Sequence, residues 1–249
     1  MDEAHYWSSA AASYEDEFID PYRSDVKNPL PRVLRRLAHR DKTAADLGCG
    51  IGPLLPVLAK TFGHVYGVDF AEGMLARARE RCRDLKNVTL RHQSLTNLDV
   101  LAGKIDVAVA VNSLIMPDVA DIDKSLAHIR TSLRPGGVFL AIVPAMDAVH
   151  YHTMLLVDRA LAAGKPYDVA RKNAAYHGEH AYYDFAFGQY RFKGMEQHFW
   201  QPFEIRHRWR RAGFARVGLR RVWLSWKQFH CGDDLRDHRP PWDWFVHAT

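Results

Sequence analysis

The sequence predicts an α/β fold in which helices flank a doubly wound, mostly parallel sheet. Three observations carry this expectation. Between residues 43 and 143 short apolar runs alternate with stretches of helical periodicity, the order that successive βαβ units impose. The run Ile105-Asp106-Val107-Ala108-Val109-Ala110-Val111 is apolar almost throughout, as a parallel strand buried on both faces must be. The 249 residues are also enough to bury a substantial core, and one α/β domain of that length is ordinary.

Each element has its own signal. Thr43–Leu47 reads as a short buried strand containing Asp46, and it is followed by Gly48, Gly50 and Gly52, spaced two apart. Pro53 opens an apolar helix-like segment through Phe62. Val65–Asp69 is a buried strand ending in an acid, a helix is expected over about 71–85, and Asn87–His92 is the third strand. The fourth strand ends at Asn112-Ser113-Leu114, the edge where ligands collect in open α/β sheets. A helix over about 121–133 places Leu126, Ile129 and Leu133 on one face. Arg134-Pro135-Gly136-Gly137 then makes a turn before a fifth strand at 138–143. Beyond it, His150–Ala163 has helical periodicity and stops at Gly164, Pro166–Tyr176 forms a second helix, and an aromatic-rich extended stretch runs to Trp200. Phe203–Ala212 reads as a helix, followed by a strand through Leu224 and another at Trp242–Ala248.

The glycine loop asks for a ligand. Glycines without Cβ let a ligand approach the backbone, and a helix N-terminus behind them offers unpaired N–H groups. A dinucleotide fingerprint would need its third glycine at position 53, which is Pro. The pattern Asp46-x-Gly48-x-Gly50-x-Gly52 instead resembles the nucleotide loop of the class I S-adenosylmethionine-dependent methyltransferases. There the ligand end carries an ammonium and a carboxylate, and an acid ahead of the glycines suits that zwitterion better than it suits a pyrophosphate. Further stretches share the resemblance: Gly67-Val68-Asp69-Phe70, Ala71-Glu72-Gly73-Met74-Leu75, Leu133-Arg134-Pro135-Gly136-Gly137-Val138-Phe139-Leu140, Ala212-Gly213-Phe214 and the last two strands. It covers nearly the whole chain apart from about 144–200.

The resemblance implies a Rossmann-like, seven-stranded sheet with an antiparallel C-terminal strand. It implies a helical cap over 1–42, a cofactor-binding core at 43–143, a substrate lid inserted at 144–202, and a C-terminal helix with the last strands at 203–249. It implies S-adenosylmethionine as methyl donor and S-adenosylhomocysteine as product. Asp46, Gly48, Cys49, Gly50 and Gly52 would form the loop around the cofactor. Asp69 would accept from both ribose hydroxyls, with Phe70 and Met74 beside the adenosine. Ser94, next to Leu95, stands where the family usually has an Asp for the adenine amino group. Asn112 would close the fourth-strand side, and Tyr14 would reach the methionine end from the cap.

Composition narrows the partners. Cys49, Cys82 and Cys231 lack metal or disulfide spacing, which suggests a reducing compartment, and Cys49 reads as a small filler. The start of the chain has no basic and apolar leader pattern, and no run approaches a membrane span, so a soluble cytoplasmic protein without membrane contact is the expectation. The net charge of +5 owes much to Arg206, Arg208, Arg210, Arg211, Arg216, Arg220 and Arg221, which suggest one basic surface. Such a surface could serve an RNA or protein methyltransferase. The amine-methylating Asn/Asp-Pro-Pro-aromatic motif of nucleic-acid enzymes is missing, however: the matching place reads Asn112-Ser113-Leu114-Ile115. A small-molecule acceptor is the reading, with RNA or protein methylation and an inactive binding subunit as alternatives; a homodimer is compatible with it.

The acceptor end rests on the lid. Met116, Tyr151, Tyr183, His198 and Trp200 are the candidates for an apolar, aromatic substrate pocket. Methyl transfer is an in-line displacement in which alignment and water exclusion do most of the work, while a hydroxyl or ammonium acceptor must also lose a proton. His150, His177 and His180 are the candidates for base or substrate positioning. His177-x-Glu179-His180 also resembles a ligand cluster, but helical zinc motifs space two His by four and no acidic triad for magnesium stands out, so no metal is expected.

Overall fold

The structure, a computed structural model, describes residues 3–11, 20–175, 183–192, 195–229 and 235–249. Its first elements are α1 (Glu3–Ala10), α2 (Leu30–Leu37), β1 (Thr43–Leu47), α3 (Leu55–Thr61), β2 (His64–Asp69), α4 (Glu72–Cys82) and β3 (Val88–His92). They are followed by β4 (Ile105–Val111), α5 (Val119–Ser132), β5 (Leu133–Pro144), α6 (Met146–Ala162) and α7 (Tyr167–Ala175). The chain ends with β6 (Tyr183–Asp184), β7 (Gln189–Phe192), β8 (Met195–His198), α8 (Pro202–Arg211), β9 (Val217–Trp223) and β10 (Trp242–Ala248).

Seven strands form one sheet in the order β3-β2-β1-β4-β5-β10-β9. All are parallel except β10, which runs antiparallel to both β5 and β9. The chain winds outward from β1 to β3, then returns to place β4 on the other side of β1. The strand order therefore reverses between β1 and β4, and the crevice opened there is the usual ligand position of such sheets. The seven-stranded α/β architecture is as the sequence predicts.

Each face of the sheet is covered by apolar side chains. On one side Leu126, Ile129, Phe139, Trp209 and Phe214 pack together, with the Phe139 and Trp209 rings stacked at 6.0 Å. On the other, Leu30 and Leu34 of α2 join Leu55, Leu58, Val109 and Ile142, so α2 serves as a layer of the core. A separate antiparallel sheet, β6-β7-β8, lies within the 144–202 segment beside α6 and α7.

Three boundaries differ from the sequence reading, each for a local reason. The helix expected from Pro53 begins at Leu55, because Gly52 at φ +76° holds the chain out of helical geometry. The helix expected from 121 begins at Val119, where Asp118 Oδ1 accepts from Ala120 N at 2.7 Å and caps it. The turn expected at 134–137 lies inside a continuous β5: the register jumps from Ile105↔Leu133 to Val107↔Val138, with Gly136 at φ +76° in the extra residues.

Candidate functional site

The loop after β1 is shaped by what its glycines must avoid. Gly48, at φ +73°, has no room for a side chain: a Cβ there would sit 2.2 Å from Ser113 Cβ. Ser113 Oγ donates to Leu47 O at 2.7 Å and so ties the end of β4 to the end of β1. Gly50, at φ +53°, differs, since its Cβ would meet nothing nearer than Met74 Sδ at 4.0 Å and would project into open space. Gly52 turns away from that space, and its Cβ would press on Leu55 and Ala78 where α3 and α4 pack.

Asp69, at the end of β2, is held by backbone donors. Its Oδ2 accepts from Gly50 N at 2.8 Å and its Oδ1 from Ala71 N at 2.9 Å. Those bonds fix the carboxylate and leave lone pairs for a ligand. Burial outweighs them and raises its pKa. Asp46 is 3% exposed and has no hydrogen-bond partner among the described residues. Burial, with the nearby charge of Asp69, pushes it up to about 7.

A cleft opens over Gly48, Gly50 and Asp69, with about 1020 Å³ of empty space including its open mouth, while Asp46 and Gly52 are not among its lining residues. One end is lined by Gly48, Gly50, Asp69, Phe70, Met74 and Ser94–Thr96. Phe70 is steadied by His92 Nε2, 2.9 Å from its carbonyl. Ser94 Oγ lies 2.9 Å from Thr96 Oγ1. Asn112, at φ +51°, joins the lining, and its buried Oδ1 has no partner among the described residues. The other end is lined by Ile115, Met116, Asp121 of α5 and Met195–Gln197 of β8. Trp7 of α1 completes the wall; α1 crosses α4 closely at Gly73, whose N donates to Ser8 Oγ at 3.3 Å.

Unsatisfied acceptors therefore dominate the β1–β2–β4 edge: Asp46, the free lone pairs of Asp69, and Asn112 Oδ1. Such a set calls for hydroxyl and ammonium donors and repels a pyrophosphate.

Of the residues singled out in the sequence, the structure brings Gly48, Gly50, Asp69, Phe70, Met74, Ser94, Leu95, Asn112 and Met116 to one cleft. Cys49 is buried beneath the loop, and burial raises its thiol well above its usual range, which suits a filler. Three expected pocket residues lie elsewhere. Trp200 is fully buried behind the wall: Nε1 donates to Leu114 O at 2.7 Å and its ring meets Trp209 edge-on. His198 points away from the cleft, its Nε2 lying 3.0 Å from Glu204 Oε2. Glu204 also accepts from Arg208 Nε at 2.7 Å, and these bonds from His198 and Arg208 lower its pKa against its burial. Tyr151 donates from its hydroxyl to Arg239 O and packs on Trp242. His150 is exposed, 4.8 Å from the Phe185 ring and outside the cleft lining. Tyr183 pairs with Tyr190 in the small sheet. Tyr14, His177 and His180 lie outside the described residues, as does the His177-x-Glu179-His180 cluster; no group of three metal-ligating side chains is found among the described ones. Sequence reasoning did not mark Asp121, Ile115, Met195 or Glu196. Their signal was weak, since a first-turn acid and scattered apolar residues have ordinary structural uses.

The single basic surface expected from the arginines is divided. Arg208 is spent in ion pairs with Glu204 and Asp123, while Arg221 lies over the Trp242 ring at 4.3 Å on a different element. No helix among the described residues is long and apolar enough to cross a membrane.

Comparison with known proteins agrees with this geometry. Residues 44–137 match the methyltransferase domain family. An uncharacterized 37.1 kDa protein in transposon TN4556 of Streptomyces fradiae is 35% identical over 115 residues, which cover 45% of this chain and 33% of that protein. Phosphoethanolamine N-methyltransferase 1 of Triticum aestivum is 30% identical over 139 residues, 53% of this chain and 28% of the relative. The chain thus spans about a third of the length of these relatives. The structure of DhpI in complex with S-adenosylhomocysteine shares the fold, with a TM-score of 0.58 at 16% identity, covering 99% of this chain and 94% of that one. Residues 44–137 thus resemble the methyltransferase domain family, and the seven-stranded sheet shares the fold of the methyltransferase structures it is similar to.

Proposed function

We propose that the protein transfers a methyl group from S-adenosylmethionine to an oxygen, nitrogen or sulfur atom of a small molecule, by in-line displacement beneath the 144–202 segment. The observation that carries this reading is the presence, in one cleft, of a backbone-fixed carboxylate at Asp69 and of Asn112, whose buried Oδ1 has no partner among the described residues. When bound, the cofactor supplies an electrophilic methyl on a cationic sulfur. Asp69 holds the ribose hydroxyls. Asp46 and Asn112 face the ammonium end, and the missing Cβ of Gly50 leaves room for the ligand. Ile115, Met116 and Met195 form an apolar wall that excludes water from the acceptor side.

Asp121 and Glu196 are the titratable groups among the described residues lining that side, so they are the candidates to take a proton from the acceptor, whereas His150 is not among the lining residues. The phosphoethanolamine of the Triticum aestivum relative is a small acceptor, which supports the same class here. Titration calorimetry with S-adenosylhomocysteine tests the cofactor site, and a screen of small acceptors for S-adenosylhomocysteine release tests the activity. An absence of micromolar binding would sink the proposal at its base.

A further inference from the structure

The protein carries a net charge of +5, yet among the described residues every charged side chain lining the cleft is acidic: Asp69, Asp121 and Glu196. No Lys, Arg or His lines it among the described residues. Asp69 belongs to the cofactor end. At the other end Glu196 is paired with Arg191, which withdraws part of its charge. Asp121, in the first turn of α5, forms no ion pair or hydrogen bond among the described residues. Between these acids the lining is apolar, from Ile115, Met116 and Met195, with the Trp7 ring on the same cleft.

We infer that the acceptor is an organic cation, an amine on an apolar or aromatic body, whose ammonium is held by Asp121 with help from Glu196; its proton passes to one of these carboxylates, and the freed nitrogen lone pair would take the methyl as the methyl–sulfur bond of the donor breaks. This rests on the methyltransferase reading above. A cleft lined by one sign of charge concentrates the opposite sign and repels its own, and its apolar walls strengthen the effect. A carboxylate acceptor would enter against Asp121 with no cation among the described lining residues to receive it; the backbone of a nucleic acid would meet the same barrier. The acids also resolve a conflict that a cationic acceptor would otherwise face. The bound donor is itself cationic at sulfur, and two cations in one cleft require negative charge on the wall. Ile115, Met116 and Met195 offer the body of the amine a polarizable apolar surface, while Trp7 offers a ring face to a cation.

The test uses protein saturated with S-adenosylhomocysteine and two probes of similar size, phenethylamine and 3-phenylpropionate. Calorimetry should show the amine binding at least about tenfold more tightly, the order expected when a single partly exposed carboxylate supplies the selectivity. Asp121→Asn should erase most of that preference and Glu196→Gln a smaller part. In both variants the affinity for S-adenosylhomocysteine should stay within about twofold of wild type, which also shows that they fold. Equal or tighter binding of the propionate, undetectable binding of the amine, or a preference that survives both substitutions overturns the inference. Failure of S-adenosylhomocysteine itself to bind would instead overturn the methyltransferase reading, so the two failures are told apart.

Discussion

Replacing Asp46 with Asn should separate stability from cofactor binding and make that binding indifferent to pH. In the protein alone, burial and the neighbouring Asp69 raise Asp46 to about 7. Against an ordinary value of 3.8, the folded state holds the proton more tightly than the unfolded chain. Stability from this group is therefore greatest below pH 4 and is lost as pH rises toward 7. The displacement of about three pKa units corresponds to an upper bound of about 4 kcal/mol lost above pH 7. Asn carries no charge, so Asp46→Asn should stabilise the ligand-free protein at pH 8, by about 2 kcal/mol once the cost of a buried amide is subtracted. Binding should move the opposite way. The ionised carboxylate attracts an ammonium, and with a pKa of about 7 it is about one-tenth ionised at pH 6 and nine-tenths ionised at pH 8. Wild-type affinity for S-adenosylhomocysteine should accordingly rise about tenfold over that interval. The variant should bind at least about tenfold more weakly at pH 8 and show a flat profile, its residual slope giving the ligand's own ionisation. Calorimetry at pH 6, 7 and 8, with thermal melts of the free protein, measures all of this. A flat wild-type profile, or a variant that binds as well as wild type at pH 8, would refute the placement of Asp46 opposite a cationic group.

Gly48→Ala and Gly50→Ala should fail in different ways. The first forces a Cβ to within 2.2 Å of Ser113 and should lower the melting temperature along with the affinity; the second projects into the cleft and should cost about tenfold in S-adenosylhomocysteine affinity, with a strain of only about 1 kcal/mol in the melt. Asp69→Ala removes the acceptor for Gly50 N and Ala71 N as well as the proposed ribose contact, and should abolish micromolar binding in calorimetry while far-UV circular dichroism still reports the fold. Trp200→Phe deletes the bond to Leu114 O and should cost about 1–3 kcal/mol in denaturant unfolding, leaving cofactor affinity unchanged because Trp200 stands behind the wall.

The cofactor half of the site was legible because its residues have one dominant use each. An acid at the end of the second strand and glycines that keep Cβ atoms out of the loop are fixed in place by backbone geometry within a single βαβ unit, and a polar residue closing the fourth strand ends the parallel strand on the other side of β1. Asp69 illustrates this, since both of its donors, Gly50 and Ala71, belong to adjoining loop and helix starts. The acceptor half was not legible in the same way. His198 and Trp200 have the composition of pocket residues, but an aromatic ring reads the same whether it forms a wall or stands behind one. What decides the matter is a partner far along the chain: Leu114 for the Trp200 indole, and Glu204, itself tied to Arg208, for the His198 imidazole. Asp121 shows the converse. In the sequence it is an unremarked acid in the first turn of a helix, where the macrodipole alone would justify it. Only the crossover that places α5 after β4, at the edge where the strand order reverses, turns it toward a ligand. A first-turn acid that repays nothing but a helix dipole could be exchanged for Ser or Asn at little cost; one that sits unpaired beside a cation's path could not. The sign of charge that the described residues give this cleft is thus a property of topology, and it runs opposite to the net charge that composition reports.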